Sequence, residues 1–202
     1  MARKTKENKG RKAAILSIVI VFLMLSSTIA YIAVDSSSNT IRHKNIKFSY
    51  DENENLWTGR FPGENVLFYT SPEEFDLLNI SPEISGKILS SSMIVISFNP
   101  KEDVQMLAAI DAVSYDIYSY LLPNSIYVDR AITALNSNYT FPVADCINAS
   151  QYVPILKFMK SNATDVSLSN NCIVAGAPNA RELLVIRDKL VFDIFYSLKV
   201  KK

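Results

Sequence analysis

The sequence predicts an α/β (mixed α+β) protein: an N-terminal transmembrane helix followed by one globular domain with a mixed sheet covered by helices. Three observations predict it. An unbroken apolar run fills 13–34. Short β-branched stretches then alternate with helix-length amphipathic segments over 45–202. Helix-start signals, with Ser or Asn followed three residues later by Glu, recur at 71–74, 99–102 and 179–182.

The apolar run reads AAILSIVIVFLMLSSTIAYIAV. At a helical rise of ~1.5 Å per residue it extends ~33 Å, enough to cross a hydrocarbon core of ~30 Å. Before it stand Arg3, Lys4, Lys6, Lys9, Arg11 and Lys12 against Glu7 alone. Positive charge stays inside, so residues 1–12 are read as a basic cytoplasmic leader, 13–34 as a signal-anchor, 35–44 as a stalk and 45–202 as an extracytoplasmic α/β domain. A cleaved signal peptide is the competing reading, with Thr28 and Ala30 placed for cleavage, but its apolar stretch would be shorter than this one. A third reading, a pilin-like filament subunit, has Gly10 before the run and lacks an acidic residue within it.

Past the stalk, three extended stretches, 46–50, 56–61 and 66–70, are separated by turn-forming Asp51-Glu52-Asn53-Glu54 and Pro62-Gly63-Glu64, and read as a meander. Ser71-Pro72-Glu73-Glu74 starts a short helix, and Ser81-Pro82-Glu83 a second one to about Ser90. The run 93–98 is a buried strand by its β-branched density. Asn99-Pro100-Lys101-Glu102 launches a long helix to about Leu122, with Val104, Leu107, Ile110, Val113 or Ala112, Ile117 and Leu121 on one stripe. The strand 125–132 completes a strand–helix–strand unit whose two strands should be parallel. A turn-rich stretch, 133–151, precedes three strands, 153–159, 164–169 and 172–176, read as a second meander with Asn170-Asn171 as its last turn. From Asn179 a terminal helix runs to about Leu198, its core face formed by Leu183, Ile186, Leu190, Val191, Ile194, Phe195 and Leu198, with Arg187, Asp188 and Lys189 expected to look outward.

Six of the 21 Lys and Arg and one of the 20 Asp and Glu precede residue 35, leaving 15 bases against 19 acids in the outer part. A mildly acidic domain lacks the basic footprint of nucleic-acid binding. Cys146 and Cys172 both lie in that part, and on an oxidising side an even pair reads as a disulfide, worth about 3 kcal/mol in the chain-entropy account. Asn79, Asn138, Asn148 and Asn162 each begin an N-x-S/T triplet, which marks surface loops able to accept a glycan.

Chemistry-bearing constellations are few. With His43 as the one histidine, set in the stalk, Ser-His-Asp and Cys-His catalysis and His-rich metal sites are disfavoured, and no metal or cofactor is called for. Asp111 and Asp116 stand ~140° apart around one helix and form no dyad. Asp129-Arg130, at a strand end where α/β ligand sites often fall, reads first as a solvated strand end. Arg187-Asp188 reads as an outward charge pair, with a partner contact as the alternative. Ala175-Gly176-Ala177-Pro178 leads from a strand to a helix start but lacks the glycine series of a phosphate loop. Trp57 is read as a core or interface residue, and Tyr115, Tyr118 and Tyr120 as a partly exposed helix face.

The C-terminal half carries Cys146-Ile147-Asn148-Ala149-Ser150, then Val153-Pro154-Ile155, then Cys172-Ile173-Val174, then Arg187-Asp188-Lys189-Leu190. In this order and in its Lys, Asn, Ile and Ser bias the chain resembles uncharacterised archaeal single-pass membrane proteins with a basic N-terminal leader and an extracytoplasmic α/β domain. The resemblance implies a paired Cys and an envelope location, and lends no catalytic residue. The function these features favour is that of a membrane-anchored interaction or structural protein of the cell envelope, contacting the membrane once and other envelope proteins, with an enzymatic role disfavoured. The alternatives are a carboxylate-based extracytoplasmic enzyme or a small-ligand-binding domain near Asp129.

Overall fold

The structure, a computed structural model, describes residues 17, 19–22, 24 and 40–200. The six described residues of the apolar run are helical. The rest of the expected anchor 13–34, the leader 1–12 and residues 35–39 lie outside the described residues. Among the described residues no helix is long and apolar enough to cross a membrane.

From Thr40 onward the chain builds two sheets where one was expected. The first comprises β1 (Thr40–His43), β2 (Ile46–Asp51), β3 (Leu56–Phe61) and β4 (Glu64–Phe68), in the order β1-β2-β3-β4. The turn after β1 uses Lys44 and Asn45, both at positive φ, the conformation that lets a two-residue turn match the strand twist. His43 therefore belongs to a strand and not to a stalk, and the first sheet takes in residues 40–43 that the expected stalk 35–44 would have claimed. Between β3 and β4 the reversal falls on Pro62-Gly63, with Gly63 at φ 91°.

Two short helices follow, α1 (Pro72–Phe75) and α2 (Pro82–Leu89), capped by the Ser71 and Ser81 hydroxyls with Pro in the first turn. The second sheet contains β5 (Met93–Phe98), β6 (Tyr127–Ile132), β7 (Ile155–Lys160), β8 (Asp165–Ser169) and β9 (Cys172–Ala177), in the order β6-β5-β7-β9-β8. All but the edge strand β8 run parallel. The expected second meander is thus only half formed. β8 and β9 make the hairpin over Asn170-Asn171, of which Asn170 takes the positive φ, but β9 is inserted between β7 and β8. β9 is apolar on nearly every residue, as a strand buried on both faces must be, whereas β8 exposes Asp165, Ser167 and Ser169 and suits an edge.

Between β5 and β6 runs α3 (Val104–Leu121), and the chain ends in α4 (Ala180–Val200). The Asn99 signal does not cap α3. Asn99 closes a local turn onto the Lys101 N–H, and the cap is Asp103, whose carboxylate accepts from the Met106 N–H. Val104, expected on the core stripe, is 82% exposed because it lies in the open first turn.

Two cores result, and α4 serves both. Ile96, Leu156 and Ile173, adjacent in register across the second sheet, pack with α2, α3 and the Leu183, Ile186, Leu190 and Ile194 face of α4. The first sheet brings Ile46, Phe48, Phe61, Val66 and Phe68 against Phe75 of α1 and Val185, Val191, Phe192 and Phe195 of α4. Strand alternation turns Ser97, Lys157 and Cys172 to the opposite face of the second sheet. There each holds the long loop 133–154. Ser97 donates its hydroxyl to the Ala144 carbonyl, Lys157 pairs with Asp145 at 2.8 Å, and Cys172 is disulfide-bonded to Cys146.

Gly59 allows the phenylalanines of the first core to meet. A Cβ built there would lie 2.8 Å from both Phe48 Cε1 and Phe68 Cε2. Gly59→Ala is expected to destabilise the domain by about 1–3 kcal/mol, as overpacking does. Urea denaturation reads this, and an unchanged midpoint would contradict the packing described.

Candidate functional site

Three consecutive charged residues in the middle of α4 organise the polar chemistry of the domain. Arg187, Asp188 and Lys189 are 1%, 0% and 6% exposed, contrary to the expectation that they face outward. The reason is layering. Helix packing against a sheet on each side leaves its middle turns no solvent face, so its charges must find partners inside.

Arg187 and Asp188 turn toward β4 and α3. One terminal nitrogen of Arg187 donates to the Leu67 carbonyl at 2.6 Å and to Asp188 Oδ1 at 2.7 Å; the other lies 3.0 Å from Asp116 Oδ2. The guanidinium rests over the rings of Tyr69 and Tyr120, 5.0 and 5.3 Å from their centroids. Asp188 Oδ2 accepts from the Thr70 N–H at 2.6 Å and the Thr70 hydroxyl at 2.8 Å. The Tyr69 hydroxyl donates to Asp116 at 3.0 Å, and the Leu67 N–H donates to the Tyr120 hydroxyl at 3.0 Å. Both polar groups of Leu67 on the outer edge of β4 are thereby occupied, which closes that edge at its centre to another strand.

Burial pushes the Asp188 carboxyl up to about 6, even with Arg187 and Thr70 favouring its ionised form. Burial likewise pushes the Tyr69 phenol up to about 12, helped by the neighbouring Asp116. Arg187 is held above its ordinary value: desolvation works against its charge, but Asp188 and Asp116 outweigh it.

Lys189 turns the other way, toward the β1–β2 turn. It bonds Asp193 at 2.8 Å and approaches Asp76 at 3.4 Å. Asp76 also receives Lys44 at 2.6 Å and lies 3.4 Å from His43 Nε2. Burial raises the Asp76 carboxyl, but Lys44, Lys189 and His43 together hold it below its usual value. His43 sits with its ring 5.4 Å from that of Phe192, and burial keeps its imidazole below the ordinary value despite Asp76. Asp193 is raised by burial, with Lys189 opposing.

Other residues singled out in the sequence fall elsewhere. Asp111 and Asp116 serve different arginines: Asp111 pairs with Arg130, and Asp116 with Arg187. Arg130 lies over Phe98 and Phe141, 5.3 and 4.7 Å from their centroids, and so fastens the long loop, while Asp129 accepts from the Arg130 N–H. The tyrosine trio is divided: Tyr115 is 71% exposed, Tyr118 meets Tyr127 edge-on, and Tyr120 joins the Arg187 cluster. Trp57 is half-buried beside Tyr50. The turn 175–178 is tight packing, since a Cβ on Gly176 would lie 2.7 Å from Ser161 Oγ. Asn79, Asn138, Asn148 and Asn162 are all exposed.

Sequence reading missed Lys44, Asp76, Lys189 and Asp193 as a group. The available signal was the i,i+4 spacing of Lys189 and Asp193 inside an apolar helix. Among the described residues no group of three or more His, Cys, Asp or Glu is placed to hold a metal. These charges are paired with one another, with Arg187 Nε and His43 Nε2 left without a hydrogen bond among the described residues, and the chemistry they support is cohesion between α4 and its neighbours. Comparison with known proteins finds no family model, no curated protein and no solved structure that the chain matches.

Two outcomes follow from this geometry. A carboxyl whose folded pKa exceeds its unfolded value binds its proton more tightly when folded. The Asp188 contribution is therefore full below about pH 4 and is lost as pH rises through about 6. Urea unfolding of the protein and of Asp188→Asn across pH 4–7 should show the unsubstituted protein losing stability relative to the variant over that window; parallel curves would refute the buried titration. Arg187→Met is expected to cost about 3–5 kcal/mol, because it strands a buried carboxylate. A double-mutant cycle with Asp188→Asn should return a coupling of at least about 1 kcal/mol, and strict additivity would deny the pairing.

Proposed function

We propose that this chain is a membrane-tethered protein whose head stands outside the cytoplasm and serves as an interaction or structural element of the cell envelope. The observation that carries the reading is the joining of a basic-flanked apolar run to a head closed by Cys146–Cys172. Charge asymmetry orients such a run with its leader inside, and a disulfide persists on the oxidising side. The two cysteines are 26 residues apart, and the bond ties the middle of the long loop 133–154 to the start of β9.

An interaction role draws support from that loop. Leu135, Ile147 and Tyr152 are 86%, 92% and 77% exposed on a segment held at Ala144, Asp145 and Cys146. Large apolar side chains fixed in solvent lose little entropy when a partner covers them. The exposed sequons sit on loops that the secretory side can reach.

Protease added to intact cells should remove the head while sparing the leader, and alkylation of freshly isolated protein should find both thiols blocked. A protected head or two free thiols would overturn the topology. In gentle detergent the protein should migrate with a partner, and Ile147→Asp should release it; a lone monomer in the unsubstituted protein would reject the interaction role.

A further inference from the structure

The two edges of the second sheet are finished differently. On β6 the residues facing away from β5 are Val128, Arg130 and Ile132, since the Tyr127 and Thr133 N–H groups bond the Ser92 and Phe98 carbonyls. Ile132 donates to the Pro142 carbonyl and accepts from the Ala144 N–H, and the Arg130 N–H is taken by the Asp129 carboxylate. The loop and a carboxylate thus close that edge over its second half.

β8 has no such closure. Ile155 and Ser161 donate to the Asn171 and Ala177 carbonyls, so the odd residues of β9 bond β7 and its even residues bond β8. Cys172, Val174 and Gly176 stand opposite Ser169, Ser167 and Asp165, which leaves the N–H and C=O groups of Val166 and Leu168 pointing away from the sheet. Among the described residues no strand or side chain pairs with them. The strand reads DVSLS, with neither Lys nor Pro, and its one-to-one register with β9 contains no bulge. Among the described residues, the devices that keep an edge from pairing are missing here.

We infer that β8 pairs with β8 of a second copy of this chain, antiparallel and about a two-fold axis at Ser167, joining two five-stranded sheets into one. The strand is complementary to itself in this register. Val166 falls opposite Leu168 of the second copy, so the outward-pointing residues exchange both hydrogen bonds, and symmetry makes the set twice. Val166 is buried in the second core and Leu168 packs against it, so the apolar layer runs on across the junction. On the other face Ser167 meets Ser167 and the exposed Asp165 meets Ser169, so no like charges are opposed. Pairing β8 onto β6 of another copy would have to displace the loop and the Asp129 cap, and would leave a free edge to grow a fibre. β8 on β8 uses the edge of both copies and stops at two. Two heads held on one membrane, as proposed above, meet at raised effective concentration, which suits a contact this short. The pairing itself belongs to the head and can fail while that topology stands.

The test uses the full-length protein in phosphatidylcholine vesicles, with one added thiol and mild oxidation by diamide. Across the axis the two residues 167 form a non-hydrogen-bonded pair with Cα atoms about 4.5 Å apart, within disulfide reach. The two residues 165 stand roughly 13 Å apart along the strands, outside it. Ser167→Cys should therefore crosslink at least about tenfold faster than Asp165→Cys. Peptide mapping should place the new bond between the two residues 167 and find Cys146–Cys172 intact. Ser167→Lys sets two ammonium groups face to face at an exposed position, and should weaken the dimer at least about tenfold by sedimentation in detergent, with unchanged melting. Equal crosslinking at 165 and 167, no crosslink in a normally melting Ser167→Cys protein, or a dimer that Ser167→Lys leaves intact would each overturn the proposal. In the membranes of the producing cell the same self-crosslink is expected. A bond from position 167 to another protein in its place would give the edge to a foreign strand and overturn the pairing.

Discussion

A guanidinium with 1% of its side chain in solvent is the constraint around which the domain is arranged. Removing such an ion from water costs several kcal/mol unless its donors and its charge are both answered. Arg187 answers its charge and both terminal nitrogens with atoms from three elements, Leu67 of β4, Asp116 of α3 and its own neighbour Asp188 on α4, while among the described residues its Nε stays without a hydrogen-bond partner. Asp188 then needs donors of its own and takes both from Thr70. Each partner can be in place only if the first sheet lies at one angle and depth against α4. Apolar packing alone tolerates sliding; this set of charge-assisted hydrogen bonds does not.

The second sheet solves a different problem. Its helix-covered face is buried by α2, α3 and α4, while among the described residues its other face is covered by an irregular loop. Loops that long rarely order themselves, since they have no repeating hydrogen bonds. Here the strand alternation supplies anchors in three neighbouring strands, a hydroxyl on β5, an ammonium on β7 and a sulfur on β9. A polar contact, an ion pair and a covalent bond replace the apolar layer that a helix would have provided. On the helix-covered side Arg130, in register with Ile96 and paired with Asp111 of α3, lies over Phe98 and Phe141 and holds the first half of the loop there.

Much of this was legible in the residues. The strand–helix–strand unit through 93–132 announced itself by period, and Ser71, Ser81 and Asn179 accept the amide hydrogens their positions promised. Strand order was not legible, because inserting β9 between β7 and β8 depends on tertiary competition for the buried position, and neighbouring strands usually pair. Nor was the fate of Arg187, Asp188 and Lys189. A charged triplet on a surface helix and one in a helix buried on both sides look the same in sequence, and only the second sheet decides between them. The same holds for His43, whose strand is defined by pairing with β2. The cluster around Asp76 was invisible for a related reason: Lys44 and Lys189 are 145 residues apart and meet through Asp76, which no periodicity connects to either.

The two sides of α4 are not independent. Residues 187 and 188 fix the rotation of the helix about its axis through their bonds to β4, and residue 189 follows on the next 100° of arc. The rotation that seats Arg187 on the Leu67 carbonyl therefore also aims Lys189 at Asp76. A shift of the first sheet along α4 would move the β1–β2 turn, and with it Lys44, away from Lys189. The buried lock thus sets the spacing of two cations that lie on the other side of the helix. Asp188, raised toward neutrality by its own burial, is the member of that lock whose charge is least securely held. Arg187 and the two Thr70 donors oppose that rise, so the ionised form of Asp188 is held by those contacts.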